Sequence, residues 1–334
     1  MNFKKTILAA TLAAASTVAV IGTATACTTA AYHNGDASMT VRTMDWFGHD
    51  DARIVGTGEG VITAYSVSDN AVETKSKYAT LKIKSFKPQI VAEAMNSEGL
   101  EARILYLGKD YTEFPVGDNA TPDVDASMVP QWAVDNFQNV EEVVEALNQV
   151  DVIDSKVCDL PNHEGECISA PVHYQFVDKS GKTAVVEFVK GEMKVYQGEG
   201  SHAMSNDPEF SIHLELDKAN NHETNGGIHP IDRRARAMEV LDDMYSRNVT
   251  DSANAMNSIK AVGATVFAGY DRLDHTMGDN ADVFPTLWTV YTDRNQGQWV
   301  FDRYDTWEIE KYNFSMFDNN SPISVELGAH PITK

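Results

Sequence analysis

Basic residues are scarce in this 334-residue chain: 27 Lys and Arg stand against 49 Asp and Glu, a formal net charge of −22. Nucleic acid is excluded as a partner, because binding it needs a basic face that displaces counterions from phosphates. Attraction to anionic lipid is disfavoured for the same reason. Cysteine is scarcer still. Three residues cannot build a disulfide scaffold, and their spacing lacks the four-ligand pattern of structural zinc. The ten histidines are scattered, with no pair at helical spacing that would hold a metal. The sequence has no G-x-S-x-G, no H-E-x-x-H and no P-loop, and the glycines of Gly56-Thr57-Gly58-Glu59-Gly60 read as a turn. Beyond residue 21 no apolar run is long enough to span a membrane. What remains is a chain with 43% hydrophobic residues, enough for a core, and the composition of an acidic globular enzyme or binding protein.

The first 26 residues are set apart. Lys4 and Lys5 precede an apolar, Ala-rich run from Ile7 to Ile21, and Ala24-Thr25-Ala26 places small residues before Cys27. This is the order of an export signal, and it predicts cleavage near Ala26 and a periplasmic location. Removal takes away two lysines and no acids, leaving 25 basic against 49 acidic residues. A lipoprotein signal also ends before Cys but usually carries Leu or Val where this chain has Ala24. Two outcomes therefore stand: a free Cys27 terminus, or an acylated one that anchors an exported binding protein.

Residues 27–334 read as one domain rich in strands. Asn34-Gly35-Asp36 is a turn between extended runs Thr28–His33 and Met39–Met44. Further extended runs are Gly60–Ser66, Ala79–Ser85, Ile90–Met95 and Ala102–Leu107. Val172–Val177, Thr183–Val189 and Glu192–Tyr196 form a meander, and Trp288–Thr292 with Gln298–Tyr304 a last hairpin. Val140, Val143, Val144 and Leu147 fall at helical spacing behind Asn139, with Glu142 placed for a capping box. Arg233–Tyr245 and Ser252–Val262 also read as helices, and Asp217–Gly227 as a surface loop. The absence of a β-α-β-α rhythm predicts stacked layers of sheet and helix, not a doubly wound parallel sheet. Cys158 and Cys167, nine positions apart in a polar loop, are either a local disulfide or two free thiols; if they pair, Cys27 is the odd thiol. An N-terminal cysteine would combine nucleophile and base, since its α-amine can take the thiol proton.

Cys27-Thr28 and Val41-Arg42-Thr43-Met44-Asp45-Trp46 are followed in order by Ala94-Met95-Asn96-Ser97-Glu98-Gly99-Leu100, Met204-Ser205-Asn206-Asp207-Pro208 and His229-Pro230-Ile231-Asp232-Arg233. This series resembles the choloylglycine hydrolase family of N-terminal nucleophile hydrolases, which includes bile salt hydrolases and penicillin V acylases. The resemblance implies an α+β fold, a four-layer αββα sandwich of two antiparallel sheets between helix layers. It implies Cys27 as nucleophile and base, with Arg42 and Asp45 holding thiolate and amine. Asn206 would donate its side-chain amide to the oxyanion, the backbone N–H of Tyr106 would be the second donor, and Arg233 would lie against the nucleophile. Tyr106 and the aromatic Trp46 are similar to the exported Gram-negative penicillin V acylases, where bile salt hydrolases typically carry Asn at the former position. The implied substrates are N-acylated small molecules, penicillin V and N-acyl homoserine lactones among them, with conjugated bile salts as the alternative. No cofactor and no metal are implied. The stretch between Asn206 and Arg233 looks shorter than the loop that assembles bile salt hydrolase tetramers, which leaves a homo-tetramer open.

Overall fold

The computed structural model describes residues 27–329 apart from 47, 119, 161–163, 223–226, 265–284, 305 and 307. The expected leader, residues 1–26, lies outside the described residues. In chain order the first strands are β1 (Thr28–Asn34), β2 (Ala37–Asp45), β3 (Arg53–Thr57), β4 (Ile62–Ala64), β5 (Glu73–Lys75), β6 (Thr80–Lys84), β7 (Val91–Asn96), β8 (Glu101–Tyr106) and β9 (Asp123–Asp125). Two helices, α1 (Val129–Asn136) and α2 (Val140–Leu147), lead to β10 (Asp151–Ile153), β11 (Lys156–Cys158), β12 (Cys167–Ser169), β13 (Val172–Val177), β14 (Thr183–Val189), β15 (Glu192–Gln197) and β16 (Ala203–Ser205). Helices α3 (Phe210–Asn220), α4 (Pro230–Ser246) and α5 (Ser252–Gly263) precede β17 (Thr286–Asp293), β18 (Gln298–Arg303), β19 (Ile309–Asn313) and β20 (Ser324–Ala329).

Two antiparallel sheets dominate, one in the order β16-β1-β2-β17-β18-β19, the other β15-β14-β13-β8-β7-β6-β3-β20. Strand alternation then sorts the apolar residues into three cores. Ala30, Tyr32, Met39 and Val41 turn to α4 and α5, packing on Leu241, Met244 and Ile259. Met44, Trp288 and Val290 meet Leu81, Met95 and Leu105 between the sheets. Ala102, Ile104, Tyr174 and Phe176 face α1 and α2 through Trp132, Val140 and Val143. The layers are therefore α, β, β, α, the architecture the family resemblance implies.

Local chemistry explains the ends of these elements. Gly35, at φ 58°, turns the chain so that Asn34 pairs with Ala37 and β1 lies along β2. Asn139 caps α2 by accepting from Glu142 N at 2.9 Å, while Glu142 reaches back to Gln138 N at 3.0 Å instead of the cap's own nitrogen. Three sequence expectations need correction. Gly56 and Thr57 belong to strand β3, so the glycine-rich turn begins later than the sequence suggests. The run Gly60–Ser66 is extended only over Ile62–Ala64, a short edge hairpin with β5. Asp217–Gly227 begins inside α3, which reaches Asn220 before the chain turns; part of the remainder lies outside the described residues.

Candidate active site

Cys27 stands immediately before β1, on a strand paired on both sides, and is 3% exposed. Among the described residues it is the free cysteine. Its nitrogen, a peptide nitrogen in the full chain and an α-amine once residues 1–26 are removed, donates to Asn206 Oδ1 at 2.6 Å. Its Sγ lies 3.9 Å from Met44 Sδ and 3.8 Å from the Asp45 carbonyl oxygen. Arg233, at the start of α4, donates to the Cys27 carbonyl, to Thr28 Oγ1 at 2.7 Å and to Asn206 Oδ1 at 3.0 Å. One guanidinium thus ties together the Cys27 backbone, its neighbour Thr28 and the Asn206 amide.

Arg42 lies on β2, buried, with its guanidinium carbon 4.4 Å above the ring of Trp288. Its Nε and Nη1 have no hydrogen-bond partner among the described residues. Burial pushes the Cys27 thiol up, Arg42 and Arg233 pull it back, and the Asp45 carboxylate adds to the rise. Burial also pushes the Asp45 carboxyl up to about 6, against the pull of Arg233 and of two hydroxyl donors. Those donors are Thr286 Oγ1 at 2.5 Å and Thr43 Oγ1 at 2.8 Å. Arg233 itself is pushed down to about 10 by burial.

Asn206 follows β16 and works at both ends of its amide. Its oxygen accepts from Cys27 and Arg233, and its nitrogen donates to the Tyr106 carbonyl at 2.7 Å. That bond uses one of the two hydrogens on the amide nitrogen. Tyr106 ends β8 opposite Val172, and the next residue, Leu107, donates its N–H to Pro171 at 3.1 Å. Bonded and non-bonded pairs alternate in an antiparallel ladder, so the Tyr106 N–H turns away from β13. On its other side the register with β7 ends at Arg103.

Cys27 and Arg42 form one end of an apolar pocket. Trp46, Phe86 and Tyr106 make an aromatic wall, with Trp46 edge-on to Phe86 at 5.7 Å and to Tyr106 at 5.9 Å between centroids. Val157, Leu160, Ile168, Ala170 and Pro171, from the segment around β11 and β12, also line the pocket. Cys158 and Cys167 are joined in a disulfide across that hairpin. The seven expected site residues, Trp46 included, therefore meet at one place, but the contacts of two differ from expectation. The Asp45 carboxylate binds two threonine hydroxyls, so that its backbone carbonyl is what meets Sγ. Asn206 holds the Cys27 nitrogen as well as offering a donor. Thr43 sits within the motif around Arg42, whereas Thr286, Phe86 and the hairpin wall carry no local signal in the sequence.

The profile of the choloylglycine hydrolase family, linear amide C–N hydrolases, matches residues 27–257. The chain belongs to this family. It is 24% identical to the penicillin V acylase of Pectobacterium atrosepticum, over 99% of this chain and 93% of that protein. The penicillin V acylase of Agrobacterium tumefaciens superposes with a TM-score of 0.75 at 23% identity, covering 91% of this chain and 92% of the other. A variant of the conjugated bile acid hydrolase of Clostridium perfringens gives 0.72 at 18% identity, covering 92% and 98%. These likenesses fix the fold, and family membership makes the chain an enzyme that hydrolyses linear amides. Among the described residues no helix is long and apolar enough to cross a membrane, and no cluster of His, Cys, Asp or Glu could hold a metal ion.

Proposed function

We propose that this choloylglycine hydrolase is an exported, periplasmic acylase that uses Cys27, freed at the N-terminus, to deacylate small molecules with an apolar or aromatic acyl group. Penicillin V and N-acyl homoserine lactones are the substrates of choice. The observation that carries the reading is a buried free thiol at the end of an aromatic pocket, with its own nitrogen held by Asn206 and two buried arginines beside it. The family match begins at the same residue. A lipid-bearing Cys27 fits poorly with 3% exposure, which favours the nucleophile over the anchor.

In this reading the α-amine takes the thiol proton, and Arg42, with two unpartnered nitrogens, favours the thiolate. Sulfur attacks the amide carbon, and the carbonyl oxygen becomes an oxyanion held by Asn206 Nδ2 and the Tyr106 N–H. The α-ammonium returns its proton to the leaving amine as the C–N bond breaks, giving an acyl-cysteine and the free amine. Water, giving its proton to the same α-amine, then attacks the thioester and restores the thiol. Trp46 and Tyr106 narrow the pocket, which suits a phenoxy ring or a straight acyl chain better than a steroid. The test is to compare enzyme beginning at Cys27 with enzyme that keeps one residue before it, at matched circular dichroism. An amide nitrogen is no base, so the longer form should turn over at least a hundredfold more slowly; equal rates defeat the mechanism. Phenoxyacetyl penicillin and acyl lactones should exceed glycocholate in kcat/KM, and the reverse order installs the bile salt reading.

A further inference from the structure

Part of the pocket lining is a small hairpin that carries the disulfide. Among the described residues, strands β11 and β12 belong to neither large sheet and pair with each other, Lys156 with Ser169, Val157 with Ile168, and Cys158 with Cys167. Alternation sends the middle pair one way and the outer pairs the other, although Ser169 of an outer pair also borders the pocket. Val157 is buried and lines the pocket with Ile168, whereas both cysteines are exposed. A two-stranded hairpin is marginal on its own, and its register is weakly specified when few side chains are buried. A slip of one residue would turn one of Val157 and Ile168 out of the pocket and bring a neighbour of it in. The disulfide joins the pair directly next to them, so it forbids that slip. Outside the hairpin's own pairing, a bond from Ala170 N to Ser155 O at 3.1 Å closes the base of this segment.

We infer that the disulfide-clasped hairpin is the wall that selects the acyl group, by fixing the register that points Val157 and Ile168 at any acyl chain long enough to cross from the aromatic side. The inference rests on the reading that this pocket takes the acyl group of the substrate. The clasp is therefore a specificity device. Each methylene that reaches an apolar wall is worth roughly fourfold in affinity, so selection should appear as a slope along a chain-length series.

The experiment measures kcat/KM for N-acyl homoserine lactones from butanoyl to dodecanoyl, with processed wild-type enzyme, Ile168→Ser, and Cys158→Ser/Cys167→Ser. Alkylation of Cys27 by iodoacetamide and detection of acyl-Cys27 by mass spectrometry accompany each. Expected is a rising slope in the wild type, and a fall of tenfold or more in the dodecanoyl-to-butanoyl ratio in both variants, with alkylation within twofold. Ile168→Ser keeps the disulfide, so it reads the wall even where the double variant folds poorly. An unchanged ratio in Ile168→Ser, or an equal loss for short and long chains, overturns the wall. Absence of any acyl-Cys27 in the wild type overturns the reading of the site itself, and the wall with it.

Discussion

Asn206 offers the sharpest test, because its two amide ends can be separated by substitution. In Asn206→Ala both are lost: the acceptor for Cys27 N at 2.6 Å and Arg233 at 3.0 Å, and the donor to Tyr106 O at 2.7 Å. Two neutral bonds at about 1 kcal/mol and one to a guanidinium at about 2 kcal/mol make a stability loss of roughly 4 kcal/mol. Removing a preorganised oxyanion donor costs about 10²–10³ in kcat, with a smaller effect on KM because the donor acts on charge formed in the transition state. Asn206→Asp separates the roles. It keeps an oxygen for Cys27 and Arg233, yet has no hydrogen to give while ionised. Steady-state kinetics with penicillin V, beside iodoacetamide alkylation as a measure of thiol placement, gives the answer. The expected result is alkylation in Asn206→Asp slowed by no more than about tenfold, the new carboxylate disfavouring the thiolate, with kcat down at least a hundredfold. An Asn206→Asp enzyme with kcat within threefold of the wild type refutes the donor role and leaves Asn206 as a holder of the nucleophile.

Thr286→Val removes one of the two hydroxyls that favour the Asp45 anion. The carboxyl, already pushed up to about 6 by burial, should then titrate about one to two pH units higher, since a hydrogen bond to a charged group is worth about 1.5–3 kcal/mol. Because the anion is present above that value and lost as pH falls through it, carbon NMR of the Asp45 carboxyl should show the midpoint move upward; an unmoved midpoint refutes the assignment. Arg42→Leu should slow alkylation of Cys27 at neutral pH at least tenfold, because Arg42 exerts the largest pull on a thiol that burial pushes up, and an equal rate would remove Arg42 from thiolate stabilisation. Trp46→Ala loses a ring that meets both Phe86 and Tyr106, so kcat/KM for phenoxyacetyl substrates should fall roughly tenfold while alkylation of Cys27 holds. A uniform loss across aromatic and short aliphatic acyl groups would show that Trp46 supports the fold and not the substrate.

The parts of the molecule that could be read in the sequence are those whose signal is local. The turn at Gly35, the cap at Asn139 and the meander of β13 to β15 each follow from neighbours within a few residues. Helix α1 was hidden for the opposite reason. All eight of its residues are buried, polar Gln131, Asp135 and Asn136 included, so no exposed face sets a 3.6-residue period, and Pro130 reads as a breaker although it sits in the first turn. Strand β3 runs straight into a glycine-rich turn that masks its end. At the site, Cys27, Arg42 and Asp45 were legible through family motifs and the processing pattern before Cys27. Asn206 and Arg233, which bond Cys27, were legible in the same way, but other partners were not. Thr286 meets Asp45 from 241 residues away, and the Val157–Ile168 wall depends on a register that only the paired strands define.

The place of β17 has a consequence for the order in which the site can come into being. This strand, from the last fifth of the chain, inserts between β2 and β18 and brings Thr286 to Asp45 and Trp288 beneath Arg42. During synthesis from the N-terminus Cys27 emerges early, while the strand that completes its surroundings arrives some 250 residues later. Until then β2 has an open edge and Arg42 has no aromatic face to lie on. Such a non-local closure is slow compared with helix or hairpin formation. The surroundings of the thiol and completion of the chain are thereby linked, and a fragment that stops before Thr286 carries Cys27 without the Asp45–Thr286 bond and the Trp288 ring beside it.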